Sequence, residues 1–531
     1  MTVTHDVKST AGKPLRARWH AQLLVVGAGP AGTAAAMEAA RRGIQVVLVD
    51  EHPVDHALMG LEVPFHFGQR MNGAVVNRQR MHERLIGADP SLAEAFDAGV
   101  DIRLGTAVWG IFSHRPGLRW VRGRVAGLTD GTESWFASFD AAIIATGRRD
   151  IGLAFPGWEL PGVMGVTAAE ALLRRYEAFD GQRLAILGSG AEATGFAHAA
   201  LAAGRQIAAL VEASDLPADA EGCRKLAQAG IPVLTGSMVS AALGGRDGVE
   251  GVRVRNLGMP GQERELACDT LVLAIGAAPV IDLLDIAGAE IAFASGRGGY
   301  VPTVDADGLT TVPMIFAAGD CLGIHAGKSR DAGIAMREGV RAAVAAAAAL
   351  GARGDAPACE PECTPAEAAE DVAACRLAWA RAAMAVLDET TPICQCEEVT
   401  LADLLGVRPP RYVRHDQPAA IARDIETLAA EGSINQDQVK RLTRAGMGTC
   451  QGRRCREQVA AMLADATDTP LDRIPLAGYR APARPLPLGV LAEENESRLL
   501  TDNWEGWFGI RTQWVPSEEA LSPRGEAEGA P

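Results

Sequence analysis

A strand–turn–helix unit that occurs twice constrains the fold of this 531-residue chain more than any other feature. The first copy is "AQLLVVGAGPAGTAAAMEAARRGIQVVLVDE" at 21–51, and the second is "QRLAILGSGAEATGFAHAALAAGRQIAALVE" at 182–212. In both, an apolar strand leads into a glycine-rich turn that opens a helix. Because such units alternate from about 20 to 350, the sequence predicts an α/β fold with parallel sheets. Two such starts predict two Rossmann-like nucleotide-binding domains, one inserted in the other.

The first turn carries the pattern G-x-G-x-x-G at Gly27, Gly29 and Gly32, with Pro30 and Ala31 between the last two glycines. Glycines at these positions permit a tight turn and let the backbone approach a pyrophosphate. The phosphates then lie at the helix N-terminus, where free N–H groups and the helix dipole favour anions. These residues are therefore predicted to bind a dinucleotide.

Two acidic residues end the strand that follows this helix. Asp50 and Glu51 lie about twenty residues beyond the turn, where a carboxylate can bind ribose hydroxyls. With strand, turn, helix and acid in this order, a glycine-rich turn without a ligand is the weaker interpretation. Whether the dinucleotide is FAD or NAD depends on two later stretches.

The stretch "FDAAIIATGRR" is a strand that ends in Thr146 and Gly147, and "TTVPMIFAAGDCLGI" is a strand that ends in Gly319 and Asp320. These stretches resemble the two further motifs of the two-dinucleotide-binding-domain flavoproteins, the disulfide-reductase superfamily. The resemblance implies FAD at the first loop, with the carboxylate of Asp320 holding the ribityl chain of the flavin. A strand-end turn residue without a ligand is the alternative for Asp320.

The second glycine-rich turn fits its pattern less well. Gly188 and Gly190 match, Ala193 stands at the third glycine, and Glu212 ends the following strand. No arginine follows Glu212 closely to receive a 2′-phosphate, so a bound dinucleotide would be NAD rather than NADP. Glu192, however, would oppose a pyrophosphate at the helix N-terminus. The sequence thus leaves open NAD, another adenine nucleotide or an empty loop.

Four cysteines form the pattern C-x-C…C-x4-C at Cys394, Cys396, Cys450 and Cys455. Thiolates this close together repel one another unless a metal or cluster supplies positive charge. Structural zinc usually has two-to-four-residue spacings in both pairs, and the spacings also differ from the common ferredoxin patterns. Spacing alone therefore leaves zinc and an iron–sulfur cluster as alternatives.

The segments "CQCEEVT" and "NQDQVKRLTRAGMGTCQGRRC" resemble the cluster segment of one group of flavoprotein subunits. These are the α subunits of FAD-dependent opine and D-hydroxyproline dehydrogenases and of hydrogen cyanide synthase. They carry a small helical C-terminal domain like bacterioferritin-associated ferredoxin. The resemblance implies a [2Fe–2S] cluster on the four cysteines. The stretch between the two cysteine pairs is longer here than in the simplest ferredoxin domains.

This resemblance also implies a function. A separate FAD-containing, glycine-oxidase-like β subunit would oxidise an amino acid, imino acid or opine at a C–N bond, and a small third subunit is left open. Electrons would pass through FAD and the cluster of this chain to a quinone, cytochrome or dye-like acceptor. The alternatives are a self-contained NAD(P)H-dependent FAD reductase of a ferredoxin-like partner and a non-catalytic scaffold subunit that holds a nucleotide and a cluster.

No residue of this chain is identified as catalytic from its sequence. His325 and Lys328 lie just beyond Asp320 and could face the cofactor, but a structural role is the commoner one for such residues. Three arginines, Arg453, Arg454 and Arg456, could offset the negative charge of a cluster, or could form a solvated basic helix face. Cys359 and Cys363 are interpreted as an incidental pair.

Composition shifts divide the chain. The predicted parts are an N-terminal extension (1–20), a discontinuous FAD-binding domain (21–155 and 295–350), an NAD-binding-like domain (156–294), a linker with some helix (351–389), a [2Fe–2S] domain (390–466) and a Pro-rich C-terminal tail (467–531). The tail is predicted to contact a neighbouring subunit, with a tail folded back on its own chain as the equal alternative.

The net charge of −15 leaves no basic stripe for nucleic acid, so no nucleic-acid partner is expected. The sequence has neither the apolar core of a signal peptide nor a transmembrane run. We therefore expect a cytoplasmic protein, with membrane association through partners left open.

Overall fold

The computed structural model describes residues 17–53, 70–71, 73–115, 118, 121, 123–259, 261–352, 371–410, 412 and 423–491. The pair Cys359 and Cys363 and the distal tail at 492–531 lie outside the described residues.

The described residues form strands and helices that alternate along most of the chain. The strands are β1 (Ala17–Val26), β2 (Val46–Asp50), β3 (Asp101–Leu104), β4 (Ala107–Ser113), β5 (Arg124–Thr129), β6 (Ser134–Ile144), β7 (Arg148–Asp150), β8 (Val163–Gly165), β9 (Arg183–Leu187), β10 (Gln206–Val211), β11 (Val233–Leu234), β12 (Ser237–Gly245), β13 (Gly248–Asn256), β14 (Glu263–Ala267), β15 (Thr270–Leu273), β16 (Ala277–Pro279), β17 (Ile291–Ala294), β18 (Gly299–Pro302), β19 (Ile315–Ala317), β20 (Pro392–Cys394) and β21 (Val399–Thr400). The helices are α1 (Pro30–Arg41), α2 (Arg78–Ala88), α3 (Pro90–Asp97), α4 (Val166–Glu170), α5 (Ala191–Ala202), α6 (Ala220–Gln228), α7 (Asp282–Ala287), α8 (Ala326–Arg330), α9 (Ala332–Ala349), α10 (Val372–Met384), α11 (Leu401–Leu405), α12 (Ile425–Glu431), α13 (Gln436–Thr443), α14 (Arg456–Ala466) and α15 (Leu488–Leu491).

The first sheet has the order β3-β2-β1-β6-β5-β4, and β19 pairs with β6. Strands β1, β2, β3, β6 and β19 are parallel, whereas β4 and β5 are antiparallel. Leu23, Leu24 and Val25 of β1 are completely buried, as expected for a central strand covered on both faces. Helices α1 and α9 pack together on this sheet. A Cβ at Gly339 of α9 would lie 2.0 Å from the carbonyl oxygen of Ala31, so only glycine permits this approach.

The second sheet lies between β6 and β19 in the sequence and has the order β11-β10-β9-β15-β8, with every pairing parallel. A three-stranded antiparallel sheet, β12-β13-β14, accompanies it. The α/β fold with Rossmann-type units that the sequence predicts is therefore confirmed.

Helix α10 lies in the predicted linker but packs as part of a C-terminal helical unit. It contacts α14, and Arg376 forms an ion pair with Glu457 at 2.6 Å. Trp379 of α10 is buried in one continuous apolar core with Trp158 of the second nucleotide-binding unit and Leu463 of α14. The flanking sequence predicts a linker because Ala and Pro dominate it, but α10 has a buried face formed by Arg376, Trp379, Ala380, Ala382 and Ala383.

The predicted N-terminal extension is shorter than expected, because β1 begins at Ala17 and residues 17–20 belong to the sheet. The described part of the tail packs on its own chain. The hydroxyl of Tyr300 donates to the carbonyl oxygen of Leu471 at 3.3 Å, and the N–H of Tyr479 donates to Asp285 at 2.6 Å. No helix in the described part of the chain is long and apolar enough to span a bilayer.

Candidate functional site

A cavity of about 670 Å³ lies at the carboxyl ends of β1, β2, β6 and β19. It brings together ten residues that the sequence predicts to bind a cofactor, and these are Gly27, Gly29, Pro30, Ala31, Asp50, Glu51, Thr146, Gly147, Gly319 and Asp320. They come from four separate segments of the chain. Ligands bind at this edge of open parallel sheets, so the geometry fits a nucleotide site.

The three glycines of the first turn have different surroundings. A Cβ at Gly27 would lie 2.2 Å from the carbonyl oxygen of Ala145, and a Cβ at Gly32 would lie 1.8 Å from that of Gly27. At Gly29, by contrast, a Cβ would meet no atom within 4 Å. Gly27 and Gly32 therefore let the turn pack, whereas Gly29 leaves open the space where a pyrophosphate would approach α1.

Asp50, the last residue of β2, and Glu51, which follows it, line the cavity but also bind other groups of the chain. Asp50 accepts hydrogen bonds from the N–H of Ala28 at 2.6 Å and from the N–H of His52 at 2.7 Å. Burial raises the pKa of Asp50, but its hydrogen bonds to His52 and the backbone outweigh burial and bring that pKa below its usual value. The carboxylate of Glu51 forms a two-point ion pair with Arg484, at 2.6 and 2.7 Å.

The carboxylate of Asp320 has one engaged and one unsatisfied oxygen. Its Oδ2 accepts a hydrogen bond from Nε of Arg148 at 2.7 Å. Its Oδ1 is buried and has no hydrogen-bond partner among the described residues. An unsatisfied buried acceptor is costly, and a ligand hydroxyl would satisfy it. This observation fits the ribityl chain of a flavin.

Arg148 is not identified from the sequence, although it directly follows the "ATG" stretch. Its guanidinium also pairs with Glu192 and donates to the hydroxyl of Ser329 at 2.8 Å. Arg148 therefore links Asp320, from the first nucleotide-binding unit, with the first turn of α5 in the second unit. The negative charge of Glu192 is therefore paired with the guanidinium of Arg148.

Other predicted residues have structural contacts. The hydroxyl of Thr146 donates to the carbonyl oxygen of Val280 at 2.7 Å, which ties the end of β6 to the chain returning from the second unit. Lys328 is buried, and its ammonium donates to the carbonyl oxygen of Gly323 at 2.8 Å and pairs with Glu338. The ring of His325 accepts from the N–H of Lys328 and caps α8.

The second glycine-rich turn is bound by its own chain. Glu212 is buried, and its carboxylate accepts hydrogen bonds from the hydroxyl of Ser189 at 2.6 Å and from the N–H of Ser214 at 3.0 Å. Gly188 packs against Ala274, where a Cβ would lie 2.1 Å from the carbonyl oxygen. Gly190 faces open space, since a Cβ added there would meet no atom within 4 Å. The acid that the sequence assigns to a ribose is therefore already engaged.

The structure brings the two cysteine pairs together. Sγ of Cys396 lies 4.0 Å from Sγ of Cys394 and 3.6 Å from Sγ of Cys450. Cys396 is exposed, whereas Cys394, Cys450 and Cys455 are buried. A Cβ at Gly448 would lie 2.4 Å from Sγ of Cys396, so this glycine permits the close approach of the second pair. Within the described ranges, no three side chains meet the geometry of a single-ion site.

The surroundings raise the pKa of the thiols of Cys394, Cys396 and Cys450 and so favour their protonated forms when no cation is present. The Cys394 thiol and burial raise the pKa of Cys396 to about 11, although the hydrogen bond with Cys450 lowers it. The N–H of Gly446 donates to Sγ of Cys394 at 3.4 Å. A bound metal or cluster is the group that would hold such sulfurs as thiolates. Four cysteine sulfurs are a donor set whose chemistry suits either an iron–sulfur cluster or zinc.

The three arginines beside the cysteines are not a solvated helix face. Arg453 and Arg456 are 8% and 5% exposed. The guanidinium of Arg454 lies 5.3 Å from the ring centre of Trp158, and burial lowers its pKa to about 10. Helix α14 begins at Arg456, directly after Cys455, so its N-terminus lies at the cysteine loop. Positive charge and a helix dipole therefore face the sulfurs.

Comparison with known proteins gives matches over most of the chain. Residues 21–349 match the family described as pyridine nucleotide-disulphide oxidoreductase, and residues 411–494 match the sarcosine oxidase A3 domain. The second match includes Cys450 and Cys455 but not the first cysteine pair.

Three relatives illustrate the similarity. An opine oxidase subunit of Rhizobium meliloti is 25% identical over 510 residues, which cover 89% of this chain and 87% of that protein. The alpha subunit of sarcosine oxidase from Rhizobium meliloti (strain 1021) is 23% identical over 89% of this chain and 42% of that protein. The crystal structure of L-proline dehydrogenase from P. horikoshii shares the fold, with a TM-score of 0.57 and 20% identity over 90% of this chain and 81% of that one. The chain is therefore an oxidoreductase, and it belongs to the pyridine nucleotide-disulphide oxidoreductase family.

Proposed function

We propose that this chain is the electron-transfer α subunit of a multi-subunit flavin-dependent dehydrogenase. The enzyme would oxidise a C–N bond of an amino acid, imino acid or opine in a partner β subunit. The observation that carries this proposal is the presence, in one chain, of a nucleotide cavity and a four-cysteine loop, which the segment around Ala483 and Arg484 joins. The relatives named opine oxidase and sarcosine oxidase subunits support it.

FAD is the cofactor proposed for the first cavity, where it would supply one- and two-electron redox chemistry. The turn around Gly29 and the N-terminus of α1 would hold its pyrophosphate. Asp50 and Glu51 would lie beside its adenosine ribose, and the free Oδ1 of Asp320 would accept a hydrogen bond from its ribityl chain. Arg148 would orient Asp320 for that contact.

A [2Fe–2S] cluster is the group proposed for the cysteine loop. Its ligands would be Cys394, Cys396, Cys450 and Cys455. The chemistry that it would supply is one-electron transfer. The buried arginines would offset its negative charge. Because Cys396 is exposed, this edge of the loop is the proposed exit for electrons toward a quinone, cytochrome or dye-like acceptor.

The partner proposed for substrate oxidation is an FAD-containing, glycine-oxidase-like β subunit, with a small third subunit left open. A cytoplasmic location is part of this proposal.

The second glycine-rich turn gives little support to the alternative of a self-contained NAD(P)H-dependent reductase. Glu212 is buried and accepts hydrogen bonds from its own chain, and Glu192 at the helix N-terminus is held in the ion pair with Arg148.

The decisive experiment is purification of the native complex through a tag on this chain. Its subunits, flavin, iron, acid-labile sulfide and zinc are then measured, with low-temperature EPR before and after an opine or sarcosine is added. We expect a second subunit, about two irons per chain on the cysteine loop and an EPR signal that appears with substrate.

The Cys450→Ser variant should lose iron and sulfide, whereas Cys375→Ser, outside the loop, should retain both. A colourless chain with zinc and no iron would contradict the cluster. A cluster whose signal never responds to any such substrate would instead favour the scaffold alternative.

A further inference from the structure

Two adjacent tail residues lie between the nucleotide cavity and the cysteine loop. Arg484 lines the cavity, and its Nε and Nη2 donate to the two carboxylate oxygens of Glu51 at 2.6 and 2.7 Å. Such two-point pairing fixes the orientation of both side chains, unlike a single contact between point charges. Since Glu51 directly follows β2 at the predicted ribose position, Arg484 is part of the wall that a nucleotide would touch.

The neighbouring Ala483 contacts the cysteine loop. Its carbonyl oxygen accepts a hydrogen bond from the guanidinium of Arg453, which lies between Cys450 and Cys455 in the sequence. Ala483 is buried, and its N–H donates to the carbonyl oxygen of Trp109 at 2.7 Å. The position of its peptide group is therefore fixed by the first nucleotide-binding unit on one side and by the cysteine loop on the other.

A third residue, Asp282, lies between the nucleotide cavity and the arginines of the cysteine loop. Asp282 at the start of α7 pairs with Arg149 at 2.7 Å, and Arg484 lies 3.8 Å from the same oxygen. Asp282 borders the nucleotide cavity and also a small space that Arg453 and Arg456 enclose. Asp282 and Ala483 are buried, and the side chains of Arg484 and Glu51 are only 19% and 27% exposed. Exchange of these ion pairs and hydrogen bonds for water therefore has a cost.

We infer that Ala483 and Arg484 form a coupling contact between the two sites. A nucleotide in the cavity would hold Glu51 and Arg484 in place, and Ala483 would pass that restraint through Arg453 to the loop carrying the second cysteine pair. Arg484 and Arg453 are positioning residues in this scheme. It rests on the proposed function for the identity of the two bound groups. Because such coupling is reciprocal, an assembled cluster would strengthen nucleotide binding by the same factor by which the nucleotide strengthens retention of the cluster.

Hydrogen–deuterium exchange of the full chain tests the inference directly. The chain is freed of nucleotide, and exchange of peptides covering 446–456 is compared with and without saturating FAD. We expect FAD to slow exchange in this loop by about fivefold or more, the low end of typical coupling. In Arg484→Gln and Arg453→Gln the slowing should disappear, whereas Arg473→Gln, exposed on the same tail segment, should behave as the unaltered chain. Because two variants of the coupling contact are measured, the test remains conclusive if one of the substitutions prevents folding.

A second measurement checks reciprocity. FAD affinity is compared between the iron-loaded chain and the Cys450→Ser chain, and we expect it to be weaker in the variant by about fivefold or more, since an assembled cluster would strengthen nucleotide binding. If FAD binds normally but the loop does not respond, or if Arg484→Gln retains the full response, the coupling contact is wrong while the proposed function stands. If no FAD binds to the unaltered chain, the proposed function fails, and the coupling with it.

Discussion

Nε of Arg148 donates a hydrogen bond to Oδ2 of Asp320 at 2.7 Å, and this contact leaves Oδ1 of the same carboxylate buried and unsatisfied within the described chain. The arginine thus fixes the orientation of the carboxylate beside the cavity. An acceptor held in this way, with its charge neutralised on one side, is suited to a neutral hydroxyl donor rather than to a phosphate.

Substitution of Asp320 by Asn tests this assignment. The amide keeps the size of the side chain but removes the charged acceptor, whose hydrogen bond contributes about 1.5–3 kcal/mol. We expect FAD affinity, measured by quenching of flavin fluorescence, to fall about tenfold or more. Asp247→Asn, exposed in the turn between β12 and β13, is the control and should leave affinity unchanged. Equal affinities in the two variants would contradict the role of Asp320.

Two substitutions in the first glycine-rich turn distinguish an effect on nucleotide binding from an effect on folding. Gly29 has φ −77°, which alanine adopts readily, and its Cβ would point into free space. Gly29→Ala should therefore leave the apparent Tm of the nucleotide-free chain unchanged but weaken FAD binding. Gly32→Ala should lower that Tm, because its Cβ would lie 1.8 Å from a backbone oxygen and crowding of this kind costs about 1–3 kcal/mol or more. Thermal melts with and without FAD distinguish these outcomes. A Gly29→Ala chain with normal FAD affinity would show that the cavity is not a pyrophosphate site.

The second glycine turn leads to a prediction about NADH. Because Glu212 is occupied by Ser189 and Ser214, we expect an excess of NADH to leave the flavin absorbance of the isolated chain unchanged under anaerobic conditions. Dithionite, which needs no binding site, should bleach the same sample and serves as the positive control. Stoichiometric bleaching by NADH would support a self-contained reductase.

The buried carboxyl of Asp150 should make stability depend on pH. Burial raises its pKa to about 7, although hydrogen bonds from Thr167 lower it and the charge of Glu192 raises it further. A carboxyl whose pKa is higher in the folded chain than in the unfolded chain costs stability as pH rises from about 4 through about 7. Asp150→Asn removes this cost, which reaches at most about 4 kcal/mol at high pH.

The variant should therefore melt at a higher temperature than the unaltered chain at about pH 8, and the difference should shrink toward about pH 4. Asp247→Asn should show no such pH-dependent difference. A constant difference across this range would mean that Asp150 does not titrate as its surroundings indicate.

Local pattern is enough to predict much of the fold and of the first cavity. Strand, turn and helix follow one another directly around Gly27 and Gly188, so short-range periodicity carries the signal. The later positions of Gly147 and Gly319 are found by resemblance, and the parallel sheet then places them at one edge. The four cysteines are likewise identified by spacing, and the structure brings the two pairs together.

What local pattern does not predict is pairing across long separations. Arg484 and Glu51 lie 433 positions apart, and the local sequence around either residue does not indicate that the other will pair with it. Arg148 resembles an ordinary cation after a strand until Asp320 and Glu192 are placed beside it. The alanines of helix α10 resemble a low-complexity linker, and only the buried contact with α14 distinguishes the two.

The apolar core that Trp379 and Leu463 share with Trp158 has a consequence for how electrons could leave this chain. A cysteine-bearing unit anchored in this way cannot swing on a tether between donor and acceptor, as mobile carrier domains do. In the proposed function, electrons would therefore cross a fixed distance within this chain, and the acceptor would have to come to the exposed edge at Cys396.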